Sequence, residues 1–320
     1  MLDARPRPTR FAGTLLGLAT LVLTTLAPVA QAEEWPRGHY PLPDQGSLIG
    51  EPYTVTASQE ETLLDIAREH AVGYEEIRQA NPDVSLWLPG EGTEVVIPAQ
   101  HLLPDAPRDG IVINIAELRL YYYPEVGEGE TPRVETYPIG IGREGFDTPL
   151  GTTRTTMKLE DPAWYPPASV REEAAARGEE APAVVPPGPD NPLGRHAILL
   201  EIPGYLIHGT NRPDGIGMRA SRGCIRMFPE DVEALFRSVP VDTPVHLIDQ
   251  PFKAAWQDDT LYAQSFATPE VEEQALSHRL EALATLETLK AEAEVTIDYA
   301  QLSEALDAAP GRIVSLTPNA

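Results

Sequence analysis

Between Ile111 and Asp249 the chain is a succession of short apolar runs cut by Gly and Pro clusters, and this punctuation points to a mainly antiparallel β domain over residues 109–250. The segment IVINIAELRLYYYP reads as two strands around Ala116-Glu117, with further strands in VETYPIGIG, HAILLEI and YLIHGT and a last one in TPVHLID. One helix interrupts the pattern: Pro229 suits a first helical position, and Val232, Leu235, Phe236 and Val239 recur on one face. Residues 157–191, Pro-rich and charged, read as a long insertion of the kind that covers a cleft.

Ahead of this region, residues 51–99 change period. Tyr53-Thr54-Val55 predicts a strand, Ser58 and Glu61 a capping box before Leu63, Ile66 and Ala67, and Tyr74 to Ala80 a second helix ended by Asn81-Pro82. Glu94 to Pro98 closes the unit with a strand. This strand-helix-helix-strand order, carried by YTV, ETLLDIA, ANP and LPGEGTEVVIP, resembles the LysM module, and the resemblance implies binding to N-acetylglucosamine-containing glycan such as the peptidoglycan backbone. Residues 33–50, with three prolines and no apolar period, read as a linker. Residues 251–320 read as a helical extension and tail: Thr268 caps, Pro269 starts, and Leu276, Leu280 and Leu283 form a docking face. The expected fold class is therefore α+β, with a small module, a β domain and a helical segment.

The first 32 residues read as an export signal. Arg5, Arg7 and Arg10 precede an apolar run from Phe11 to Val29, and Ala30-Gln31-Ala32 offers small residues for cleavage. No other stretch approaches membrane length, so the processed chain is expected not to span a membrane. A formal net charge of -25 argues against a polyanion partner such as nucleic acid. Neither ligand-spaced His and Cys nor a phosphate-binding Gly loop is present, so no metal or cofactor is expected.

Export also changes how the one cysteine is read, because an oxidising compartment favours paired thiols and Cys224 has no partner in the chain. A thiol is a useful nucleophile only with a base beside it and donors for the oxyanion that forms on attack. His208 ends the apolar strand GYLIHGT, where its ring is expected at a sheet edge, and Cys224 follows sixteen residues later in SRGCIRM. Gly223 permits a tight turn there, so that the N–H groups of Gly223 and Cys224 can converge on one oxygen.

The stretch IHGTNRPDGIGMRASRGCIRM resembles the signature of the YkuD-type L,D-transpeptidases, and YPIGIG, DTPLG, PAVVPPGPDNPLG and PEDVEALF extend the likeness over roughly residues 36 to 256, to the periplasmic branch with an amino-terminal LysM module. The resemblance implies that Cys224 attacks the L-centre carbonyl of diaminopimelate in a tetrapeptide stem, expels D-alanine and forms a thioester. It further implies that His208 is the base, that the Gly209 carbonyl orients its ring, and that Ser221 with the backbone at Gly223 and Cys224 supports the oxyanion. Arg226 is expected to grip a substrate carboxylate, with Tyr205 and Arg222 as further substrate-side residues. Arg222 stands where many family members have His; its charge offers a means of lowering the thiol pKa. The acyl acceptor is expected to be a lysine of an outer-membrane lipoprotein or the diaminopimelate of another stem. Hydrolysis of the thioester by water, and a non-catalytic wall-binding scaffold, are the alternatives.

Overall fold

The computed structural model describes residues 35–143, 145–266, 272–291, 296–307 and 311–317. The expected export signal and the expected helix start at Thr268 and Pro269 lie outside them, and none of the described helices is long and apolar enough to cross a membrane. The chain opens with β1 (His39–Pro41), β2 (Leu48–Ile49), β3 (Tyr53–Thr56), α1 (Leu63–Glu69), α2 (Tyr74–Ala80), β4 (Glu94–Ile97) and β5 (His101–Leu102). The middle holds β6 (Gly110–Asn114), β7 (Arg119–Tyr123), β8 (Arg133–Pro138), β9 (Ile141–Gly142), β10 (Gly151–Glu160), α3 (Ala168–Ala176), β11 (His196–Leu200), β12 (Leu206–His208), β13 (Arg219–Ser221), β14 (Ile225–Arg226), α4 (Pro229–Ser238) and β15 (Pro244–Ile248). Last come β16 (Phe252–Gln257), β17 (Thr260–Ser265), α5 (Glu272–Lys290), α6 (Tyr299–Asp307) and β18 (Ile313–Ser315).

Nine strands form the main sheet, in the order β1-β8-β7-β6-β15-β10-β11-β12-β14. The β6 and β7 runs are apolar without alternation because both of their faces are covered. Ile111, Ile113, Leu120 and Tyr122 face a core closed by Val232, Leu235 and Val239 of the α4 region. Val112, Tyr121 and Tyr123 face the other way, onto Ile49 and Leu103. Each such aliphatic side chain withdrawn from water stabilises the fold by roughly 1.5–3 kcal/mol. Most neighbours are antiparallel, but β15 runs parallel to β6 and β14 parallel to β12.

Several expectations are corrected. Residues 33–50 are not merely a linker: β1 pairs with β8 (Tyr40↔Val134) and β2 with β5 (Leu48↔Leu102), pairings too short to leave an alternating pattern. The helix α1 is capped one turn later than expected, by Thr62 and Asp65, while Glu61 accepts from the Ser58 N–H in the preceding turn. Residues 251–320 are not purely helical, since β16, β17 and β18 form a three-stranded sheet. On α5 the packed side chains include His278, Ala282 and Leu286, whereas Leu276 and Leu280 are each 58% exposed. Apolar residues stand on more than one side of that helix, so spacing alone does not select the docking face. The insertion is also more ordered than a loop: Met157 to Glu160 end the ten-residue β10, and α3 lies inside it.

Two buried charges from the β6–β7 hairpin tie the flanking parts to this sheet. Arg119 donates to the Glu76 carboxylate at 2.7 and 3.0 Å, to the Ala71 carbonyl and to Thr136. Lys253 of β16 meets Glu117 at 2.6 Å, and Asn114 and Tyr121 donate to the same carboxylate. Removing one partner of such a pair strands a charge away from water. Glu117→Gln is therefore expected to destabilise the fold by about 3–5 kcal/mol, read as a lower urea midpoint, while the double change Glu117→Leu with Lys253→Met recovers most of the loss.

Candidate active site

At the far end of the main sheet the short strand β12 lies between β11 and β14. Its parallel register with β14 sets Ile207 against Ile225 and His208 against Arg226. Ile207 and Ile225 point into the core and are fully buried. Side chains alternate across a strand, so His208 and Arg226 share the opposite face. One step back in the same register, Cys224 stands beside Leu206 on that face. With strands about 4.8 Å apart and a rise of about 3.3 Å per residue, the backbones of residues 208 and 224 lie about 8 Å apart, and the thiol itself donates to the Gly204 carbonyl at 3.5 Å.

The imidazole is not at an exposed edge, as its strand-end position suggested; it is only 4% exposed. Its Nδ1 stands 2.6 Å from the Gly209 carbonyl, which fixes Nδ1 as the protonated nitrogen and leaves Nε2 with its lone pair. Burial and then the Arg226 charge depress the His208 pKa to about 4, against the opposing pull of the Gly209 and Leu193 carbonyls. The ring is accordingly neutral at neutral pH. The Cys224 thiol is half-buried, and burial pushes its pKa up despite the Leu206 backbone and the Arg226 charge. The two side chains are thus a neutral thiol and a neutral imidazole.

The turn that presents Cys224 is closed by the wholly buried Ser221, whose hydroxyl donates to the Cys224 carbonyl at 2.6 Å and accepts from the Gly223 N–H at 3.2 Å. Gly223 sits at φ +101°, where a Cβ would meet the Tyr205 ring at 3.0 Å. Tyr205 is itself held by the Asp147 carbonyl, and Thr148 donates to the Gly223 carbonyl. The expectation of two converging oxyanion donors is therefore revised: the Gly223 N–H is engaged by Ser221, and the Cys224 N–H is the one without an acceptor among the described residues.

Arg226 borders a cavity of about 420 Å³ whose other walls include Thr210 and Arg212, Trp164 and Val185 from the insertion, and Pro192 just after it. Its Nε is buried without an acceptor among the described residues. Arg222 serves elsewhere: it pairs with Glu173 of α3 and lies 5.4 Å over the Phe146 ring. The Arg226 charge works against the burial of the thiol, pulling its pKa down. Sequence reasoning passed over Asn191, which is wholly buried, donates to the Pro162 carbonyl at 2.7 Å and accepts from the Leu193 N–H at 2.9 Å. It anchors the insertion beside His208; the only signal was an Asn between prolines in PDNP.

A family model for the L,D-transpeptidase catalytic domain, YkuD, matches residues 108–247. The probable L,D-transpeptidase YcfS of Escherichia coli K12 is 47% identical over 253 residues, spanning 77% of this chain and 76% of that protein. This chain belongs to the L,D-transpeptidase family. The probable L,D-transpeptidases ErfK/SrfK and YbiS of the same organism are each 46% identical over 224 residues, covering 69% of this chain and 71% and 72% of their own lengths. As a member of that family the protein is an enzyme, and the 108–247 match contains the β12–β14 face with both His208 and Cys224.

The electrostatics of this face are open to direct titration. The NMR titration midpoint of His208 is expected near 4, and Arg226→Gln is expected to raise it by removing the cation. Because the folded value lies below the ordinary 6.5, the unfolded chain binds a proton that the native ring refuses. Stability conferred above pH 6.5 is then lost as pH falls toward 4. A midpoint near 6.5 in the folded enzyme would contradict the buried, Arg226-facing position.

Proposed function

We propose that Cys224 is the nucleophile and His208 the general base of an L,D-transpeptidase that acts on peptidoglycan tetrapeptide stems. The observation that supports this reading most is the β12–β14 register, which pairs His208 with Arg226 and brings Cys224 beside Leu206 on the same two strands, Arg226 also bordering the cavity. As Sγ bonds to the L-centre carbonyl carbon of diaminopimelate, its proton passes to Nε2 of His208, and the new oxyanion is met by the Cys224 N–H. Collapse breaks the peptide bond, and His208 returns the proton to the departing D-alanine amine. The acceptor amine then attacks the thioester carbonyl as its proton passes to His208, the C–S bond breaks, and the departing sulfur takes that proton back from His208, restoring the thiol and the neutral imidazole. The acceptor is a lipoprotein lysine or the diaminopimelate of another stem.

Neutral partners at rest suit this sequence, since the proton moves only as the substrate carbonyl is engaged. Arg226, its Nε without an acceptor, is positioned to receive a stem carboxylate, with Tyr205 bracing the turn beside it. The unit from β3 to β4, an antiparallel pair enclosing two helices, is read as a LysM-type module that holds the glycan strand. Residues 1–32 are read as a cleaved export signal and the site of action as the periplasm. The unit boundaries proposed are 51–99 for the module and 109–250 for the catalytic domain.

Incubation with a carbapenem is expected to add one drug mass to the intact protein, to add none to Cys224→Ala, and to proceed roughly 10²–10⁴-fold more slowly in His208→Gln. With tetrapeptide muropeptides and an amine acceptor, free D-alanine and an amine-linked product should appear together. D-Alanine release without the linked product would replace transfer by hydrolysis.

A further inference from the structure

The segment leading into the Cys224 turn is held from both sides. On one side the Gly217 N–H donates to the Ile139 carbonyl at 3.1 Å, Ile141 N–H donates to Met218 at 3.1 Å, and β13 pairs with β9 (Arg219↔Ile141). On the other side the contacts come from residues 73–75 of the N-terminal unit. The Tyr74 N–H donates to the Ile216 carbonyl at 2.9 Å and the Glu75 N–H to the Gly217 carbonyl at 3.4 Å. The two backbones approach so closely that both partners are glycine: Gly217 lies at φ +85°, where a Cβ would be driven into Tyr74 N and to 2.6 Å from Gly73 Cα. A Cβ on Gly73 would in turn meet Gly217 Cα at 2.9 Å.

This contact is itself fixed from the catalytic sheet. The Glu76 carboxylate accepts from the Gly73 N–H at 2.7 Å and from the buried Arg119 of β7. Arg68 adds a two-pronged pair to Glu230 in the first turn of α4, both bonds at 2.8 Å. The N-terminal unit is thus pinned on two sides of the segment it touches, and that segment continues without a break into Ser221, Gly223 and Cys224.

We propose that Gly217 and the backbone of Gly73–Glu75 are positioning elements for the transpeptidase reaction: the N-terminal unit sets the segment that delivers Cys224, so that acylation depends on that unit being docked. The proposal rests on Cys224 being the nucleophile. It follows from the rigidity that chemistry needs, since misplacing a nucleophile by about 1 Å costs up to roughly a hundredfold in rate.

A proline at position 74 isolates the contact. Tyr74 is the first residue of α2, where its N–H is not used by the helix, and Gly73 has the extended backbone (φ −83°, ψ 166°) that proline requires before it. In the full chain, Tyr74→Pro removes the N–H donated to Ile216, whereas Tyr74→Ala removes only the side chain. The expected result is carbapenem acylation of Cys224 roughly tenfold or more slower in Tyr74→Pro than in Tyr74→Ala, with kcat for D-alanine release falling in step. The thermal midpoint of Tyr74→Pro is expected to fall somewhat below that of Tyr74→Ala, since the ring meets the Ile216 carbonyl, while the rate of iodoacetamide alkylation in the folded proteins should match, because a thiol that is merely misaligned still meets a small reagent. Equal acylation rates overturn the proposal. Gly217→Ala strains the same contact from the other side and decides the matter if the proline variant does not fold, unchanged acylation again being the overturning result. Adduct formation by the wild type and none by Cys224→Ala keeps failure of this coupling distinct from failure of the Cys224 assignment.

Discussion

The parallel pairing of β12 with β14 is the constraint on which the site depends. An antiparallel hairpin needs only a two-residue turn, but parallel neighbours require the chain to travel back the full strand length before pairing. Here the return path is residues 209 to 224, and it contains only a short helical turn and the three-residue β13. A path of that kind orders the thiol only if its backbone groups are satisfied along the way. Ser221 closes its end onto Cys224, Thr148 holds Gly223, and β9 and residues 73–75 hold its middle.

Burial then does two opposed things on this face. It depresses the His208 pKa, keeping a free lone pair on Nε2, and it raises that of Cys224, keeping the proton on sulfur. Arg226 lowers both, favouring the thiolate while disfavouring the imidazolium. A permanent ion pair would hold its charge before substrate arrives. In the reaction proposed above, a neutral pair beside a fixed cation would develop charge during attack, when the N–H of Cys224 and the guanidinium of Arg226 would have something to stabilise.

The parts legible in the sequence were those whose pattern is local. The β6–β7 hairpin, the α4 stripe and the pair of helices at 63–80 all announce themselves through periodicity, and the HGT and SRGCIRM motifs carry their residues in fixed order. What stayed hidden depends on distant partners. The strand β10, GTTRTTMKLE, is polar along much of its length and is a strand because β11 and β15 flank it. Two-residue pairings such as β2 with β5 have no period to detect, and the docked face of α5 is chosen by the β16–β18 sheet rather than by the Leu276, Leu280 and Leu283 spacing. At the site the same division holds: the order and spacing of His208 and Cys224 stand in the sequence, whereas the engagement of the Gly223 N–H and the pairing of Arg222 with Glu173 needed the fold.

The β6–β7 hairpin gives these scattered elements a common origin. Glu117 and Arg119, two residues apart in IAELRL, reach in different directions to Lys253 of the C-terminal sheet and Glu76 of the N-terminal unit. Neither ion is placed where water can compensate it, since Arg119, Lys253 and Glu117 are each less than 5% exposed. A buried pair of this kind contributes little net stability over an apolar replacement, but it tolerates few alternative arrangements, because a shift of either partner strands a charge. The flanking parts are therefore fixed in register with the hairpin rather than merely adherent to it. Through Glu76 and Gly73 that register extends to Gly217, four residues before Ser221, so the order that begins in the buried hairpin reaches the turn that carries Cys224.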